Sequence, residues 1–146
     1  MANDVLIDGK KVCGILAEMN AEATRVRFIV LGIGINVNQM TFPPELAATS
    51  LRQETGSEWS RVEVSAALLK SLEREYRELV TAPDARESIL RRFAENSSWV
   101  RGKSVRIEET GAPLEGTTEG LDARGFLLVR TAKGLQTVLS GTVREK

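Results

Sequence analysis

The sequence predicts an α+β chain: a meander of antiparallel strands packed with helices, followed by a small β-barrel. Three observations carry this. Val5-Leu6-Ile7, Asp8-Gly9 and Lys10-Lys11-Val12 form a strong hairpin signal at the start. The middle of the chain changes to the apolar period of a helix. After Asn96-Ser97-Ser98 the period returns to that of a strand. The expected organisation is therefore one domain over residues 1–96 and a second over 97–146.

Each element has a local reason. Asp8-Gly9 suits a two-residue turn with positive φ between antiparallel strands. The second arm runs Lys11 to Met19, Asn20 to Thr24 reads as a turn, and Arg25 opens a third strand. Phe28 to Leu31 is an unbroken apolar run, which reads as a buried strand. Pro43-Pro44-Glu45 is expected to open a short helix, since proline in a first turn sacrifices no hydrogen bond. Ser60-Arg61-Val62-Glu63 has capping-box spacing. Behind it Val62, Ala66, Leu69, Leu72, Tyr76, Leu79 and Val80 recur as an amphipathic stripe. Pro83-Asp84 starts another helix, with Ile89, Leu90 and Phe93 apolar and Asp84-x-x-Glu87 as a second box. The remaining strands are expected over 103–108, 114–121, 126–130 and 136–139. Turns fall at Thr110-Gly111, Asp122 to Gly125 and Lys133-Gly134, as in a small SH3-like barrel.

Composition excludes several chemistries. The 146 residues carry 20 Lys+Arg and 20 Asp+Glu, with a pI near 6.4. That balance gives no support to a nucleic-acid or anionic-membrane partner. The absence of histidine removes imidazole bases, histidine metal sites and any Ser-His-Asp arrangement within this sequence. The single cysteine, Cys13, cannot form an internal disulfide and suits a reducing cytoplasm. Nothing reads as a membrane span or a signal peptide.

Chemistry is concentrated at Gly32-Ile33-Gly34-Ile35-Asn36-Val37-Asn38. Alternation places Gly32, Gly34 and Asn36 on one face and Ile33, Ile35 and Val37 on the other. Glycine weakens a strand by about 0.5–1 kcal/mol relative to alanine, so two so closely spaced require a reason. Either a flat ligand lies on the backbone, or a helix or bulge approaches closely there. Lys11 is the cation of interest. Alternation puts it with Cys13, Ile15 and Ala17, opposite Val12, Gly14 and Leu16. It is an exposed edge lysine or a fixed charge for a phosphate or carboxylate. Asp4 is a turn residue or a ligand for Mg²⁺. Neither a Walker phosphate loop nor Gly-x-Gly-x-x-Gly is present.

Asn3-Asp4, then Lys11-Val12-Cys13-Gly14-Ile15-Leu16-Ala17-Glu18, then Gly32-Ile33-Gly34-Ile35-Asn36 resembles the biotin–protein ligase family in motif order and spacing. Phe42-Pro43-Pro44-Glu45 and Thr49-Ser50-Leu51 extend the likeness. The resemblance implies a class II synthetase-like catalytic domain followed by the family's C-terminal barrel. It also implies ATP-dependent activation of biotin to biotinyl-AMP, and transfer to a lysine of the biotin carboxyl carrier domain of a carboxylase. ATP, Mg²⁺ and biotin are the implied ligands. Lys11 would neutralise the reacting oxygens. Gly14, Ile15, Gly32, Gly34 and Ile35 would line the biotin and adenylate surface. Asn36 would hydrogen-bond the nucleotide, and Asp4 would assist Mg²⁺. The family's Gly/Arg-rich loop lies upstream of the Asn-Asp motif, so this sequence is expected to carry only the C-terminal half of the enzyme. A cytoplasmic location, and a homodimer through an exposed sheet edge, complete the expectations. The alternatives are a non-catalytic module that docks a carrier protein or partner chain, and a self-associating remnant.

Overall fold

The computed structural model describes residues 3–22, 25–108 and 113–146. They group into two compact units, one ending at Ser71 and one beginning at Leu72.

The first unit is built on an antiparallel sheet of β1 (Asp4–Ile7), β2 (Lys10–Glu22) and β3 (Arg25–Ile35), with β2 central. The predicted hairpin is present: Asp8 and Gly9 take φ of 47° and 78°, the mirror-image turn that matches strand twist. Strand β2 runs on to Glu22, so Asn20 to Glu22 of the expected turn are strand; residues 23 and 24 lie outside the described set. In the β1–β2 ladder Val5 faces Cys13 but Leu6 faces Lys11, so Val12 is an extra residue, a bulge.

Three expectations for this unit are corrected. First, the apolar run of β3 is not buried: Phe28 is 56% and Ile29 60% exposed, and they lie on opposite faces. Leu16 and Met19 of β2 are likewise exposed. Second, the Pro43-Pro44 segment does not open a helix. The backbone of 47–49 instead runs beside Lys11, with the Ala47 carbonyl and the Thr49 N–H bonded to it. The helix that does form, α1, covers only Leu51–Thr55. Ser50 caps it by accepting the Gln53 N–H at 3.1 Å, and Gly56 ends it at φ 72°. Third, α2 (Arg61–Thr81) begins at the predicted cap, with Ser60 Oγ accepting the Glu63 N–H at 3.3 Å, yet its apolar stripe stays exposed.

The second unit holds the end of α2, α3 (Ala85–Asn96) and an antiparallel sheet of β4 (Arg101–Glu108), β5 (Leu114–Leu121), β6 (Leu127–Thr131), β7 (Gly134–Val138) and β8 (Thr142–Glu145). Its strand order is β7-β6-β5-β4-β8. β8 adds a strand beyond those predicted, paired with β4. Asp84 sits at the N-cap of α3 without a side-chain cap bond, so the second predicted box does not close. Val105, Ile107 and Val129 are fully buried, and Trp99, Leu114, Leu127 and Val143 pack around them and Val138. Gly116 is required by close approach: a Cβ there would collide with the Arg130 carbonyl and the Val129 side chain. Asp122 turns the chain as predicted, accepting the N–H groups of Arg124 and Phe126, both at 2.9 Å. The predicted Thr110-Gly111 turn lies outside the described residues.

Candidate functional site

The sheet ladder brings the two motif strands into one register. Gly14 pairs with Gly34, Leu16 with Gly32 and Ile15 with Ile33. Paired residues share a face, so Gly14, Gly32 and Gly34 form one continuous floor, while Ile15 and Ile35 face the other side. Among the described residues nothing lies within 4 Å of where a Gly34 side chain would begin. At Gly32 only Leu16 comes near, at ordinary contact distance. The floor is therefore bare and open.

Lys11 corrects the alternation argument. Simple counting puts it opposite Gly14. In the structure its Cε and Nζ lie 3.1 and 3.2 Å from where a Gly14 Cβ would stand. The bulge is the cause: one extra residue at Val12 inverts the alternation and brings the ammonium over the glycine floor. Asp4 pairs with Gly14 across β1–β2, and its Oδ1 meets Lys11 Nζ at 2.6 Å. The Lys11 side chain is 46% exposed and that of Asp4 13%, so the charge faces outward while its anchor does not. The hydrogen bond from Lys11 holds the Asp4 carboxyl below the usual carboxylate range, against the opposing effect of burial. Burial pushes the Cys13 thiol up, which keeps it protonated and a poor nucleophile.

Asn36 reaches the site through the backbone. Its Nδ2 donates to the Thr49 carbonyl at 3.0 Å and to the Lys11 carbonyl at 3.4 Å. Asn38 makes a reciprocal pair with Trp59, donating to its carbonyl at 2.8 Å and accepting its N–H at 2.9 Å. Among the described residues no group of three His, Cys, Asp or Glu gathers to hold a metal. Asp4 alone offers one carboxylate, which fits Mg²⁺ only as part of a set completed by phosphate oxygens and water. A separate groove of about 710 Å³ lies in the second unit, between α3 residues such as Arg86 and Leu90 and the Leu121–Ala123 turn. Its charges are of both signs, and it contains none of the motif residues.

Thr49 and Ser50 were not singled out for a role by sequence reasoning, yet they are 1% and 0% exposed. A signal was present: Ser50-x-x-Gln53 has the spacing of a capping box.

Residues 101–144 match the family model described as "Biotin protein ligase C terminal domain". Together with the relatives and solved structures below, this places the similarity of the chain in the C-terminal region of biotin protein ligases. Among curated relatives, the "Bifunctional ligase/repressor BirA" of Bacillus spizizenii is 38% identical over 145 residues, covering 97% of this chain and 44% of that protein. The "Biotin--[acetyl-CoA-carboxylase] ligase" of Mycobacterium tuberculosis is 30% identical, covering 97% of this chain and 50% of that one. The solved biotin protein ligase of Aquifex aeolicus in complex with biotin and ATP superposes with a TM-score of 0.79 at 30% identity, over 99% of this chain and 60% of the other. The chain thus spans about half the length of the curated relatives it matches.

Proposed function

We propose that this chain carries the lysine-and-glycine half of a biotin-activating site. The single observation that supports it is the Lys11 ammonium fixed above the bare Gly14–Gly34 floor. The solved relative that binds biotin and ATP adds weight.

The reaction follows from charge. A carboxylate oxygen of biotin attacks the α-phosphorus of ATP, the bond to the β-phosphate oxygen breaks, and biotinyl-AMP and pyrophosphate result. A carrier-domain lysine amine then attacks the acyl carbon, AMP departs, and the amine's proton passes to solvent. Two anions must meet in the first step, so the protein's main tasks are positioning and neutralisation. Lys11 supplies the positive charge. Gly14, Gly32 and Gly34 let the acyl-nucleotide lie against the backbone. Ile15 and Ile35 support this floor from the opposite face. Asn36 donates to the Lys11 and Thr49 carbonyls, and its amide oxygen is the group available to the nucleotide. Asp4 orients Lys11 and is the carboxylate next to any Mg²⁺ carried by the triphosphate. The acceptor is the biotin carboxyl carrier domain of a carboxylase, with acetyl-CoA carboxylase as the first to test.

The test is a mixing assay with biotin, Mg²⁺-ATP and a carrier domain, read as biotinyl-AMP and biotinylated carrier. Binding of preformed biotinyl-AMP with little or no turnover is the expected result, and Lys11→Ala should abolish it. Binding unaffected by Lys11→Ala would remove that lysine from the site. The exposed faces of β2 and β3 favour a second reading, self-association through this sheet. A stable dimer that binds no biotinyl-AMP would select it.

A further inference from the structure

The position of Lys11 depends on a bulge, and a bulge needs something to hold it. The ladder partner β3 leaves β2 at Ile35, two residues short of Lys11 in register. Beyond that point the 47–49 segment takes its place. Lys11 N–H donates to the Ala47 carbonyl at 2.7 Å, and Thr49 N–H donates to the Lys11 carbonyl at 2.9 Å. Both backbone groups of Lys11 are therefore committed to one short irregular strand.

That strand is held in turn by two buried hydroxyls. Ser50 Oγ donates to the Gln39 carbonyl at 2.6 Å while accepting the Gln53 N–H. Thr49 Oγ1 lies 2.5 Å from Glu54 Oε1 and 3.3 Å from Gln53 Oε1. The first N–H groups of α1, which have no partner within the helix, donate to the carbonyls of Asn36 and Val37 at 3.0 and 2.9 Å. So the loop after β3, the cap of α1 and the 47–49 strand form one bonded unit. Buried hydroxyls of this kind are costly to leave unpaired and tend to fix a single arrangement.

We propose that Thr49 and Ser50 are positioning residues for Lys11: their buried hydroxyls lock the 47–50 backbone against its N–H and C=O, and so maintain the Val12 bulge that turns its ammonium onto the Gly14 floor. The inference rests on the reading of Lys11 given above, but its test does not.

The test uses the chain itself and follows the Asp4 carboxyl by NMR as pH is lowered. Asp4 reports the placement of Lys11, because the Lys11 hydrogen bond is the largest influence lowering its midpoint. In the parent the midpoint lies below the ordinary aspartate value of about 3.9. In Thr49→Val and Ser50→Ala it should rise toward that value, while Thr49→Ser, which keeps the hydroxyl, should leave it low. Glu119, held low by Arg130 in the other unit, serves as the control and should not move in any variant. A variant that fails to fold is replaced by the double change Gln53→Ala and Glu54→Ala, which removes both side-chain contacts of the Thr49 hydroxyl and the amide bond to the Met40 carbonyl. A rise there supports the proposal as well. An Asp4 midpoint that stays low in every folded variant overturns it. If the Asp4 response is seen but biotinyl-AMP does not bind, the clamp stands and the proposed function falls. If biotinyl-AMP binds but the Asp4 response is missing, the reverse holds.

Discussion

Two glycines separate the two halves of this molecule. Gly116 sits in a strand where the neighbouring backbone occupies the space a side chain would need; Gly34 sits in the first sheet with no described residue within 4 Å of where its Cβ would stand. The barrel glycine is demanded by the protein's own packing, as are Val105, Ile107 and Val129, all fully buried. The sheet glycine is demanded by nothing in the described structure. Further along the same two strands Phe28, Ile29, Leu16 and Met19 stand exposed. One region packs a buried core of its own, with Leu135 and Leu139 left outside it, and the other keeps a bare floor and uncovered apolar faces. Residues that internal packing leaves unexplained are the ones that point to a ligand or partner.

This contrast is open to attack by mutation. The largest effect belongs to the barrel core: Ile107→Ala should cost about 3 kcal/mol, as a lost side chain plus a cavity, measured by urea unfolding. Gly116→Ala should follow at about 2 kcal/mol or more, since the nearest obstacle is the Arg130 backbone carbonyl, which cannot swing aside. Phe28→Ser on the exposed sheet should change stability by less than about 0.5 kcal/mol while reducing any self-association seen by ultracentrifugation. A large loss there would mean that the face is covered within the monomer after all. The smallest effect is expected from Arg130→Gln, which breaks an exposed pair with Glu119 at 2.6 and 2.7 Å. Exposed pairs contribute little, so the thermal midpoint at neutral pH should not move measurably. The Asp4–Lys11 pair has a defined pH sense. The Asp4 value is lowered in the folded state, so its contribution is fully present above the ordinary carboxylate value and is lost as pH falls through the folded one.

Local chemistry was legible in the sequence, and longer-range pairing was not. Asp8-Gly9 carries its own turn geometry, and Ser60 its own cap, so both appear where they were expected. The barrel strands were legible from period and turn residues, apart from β8, which is defined by its pairing with the distant β4. The glycine floor was legible because Gly32 and Gly34 alternate. The side of the sheet that Lys11 occupies was not, because alternation assumes an unbroken ladder. The bulge at Val12 depends on β1 register and on residues 47–49, more than thirty positions away. The same commitment of 47–49 to Lys11 explains why Pro43-Pro44 failed to start a helix. Burial of β3 was inferred from its apolar run, which states a capacity to be covered and not what covers it.

The central claim is that the open floor at Gly34 exists for an acyl-nucleotide, and filling it tests this most directly. Biotinyl-AMP binding should be measured by calorimetry on the parent and on Gly34→Val, with thermal unfolding alongside. The account predicts that Gly34→Val folds at least as stably, as expected where a side chain meets open space and valine suits a strand, and that it binds at least about tenfold more weakly, about 1.4 kcal/mol. Equal affinity in the two proteins, or no binding by the parent at any accessible concentration, would contradict it.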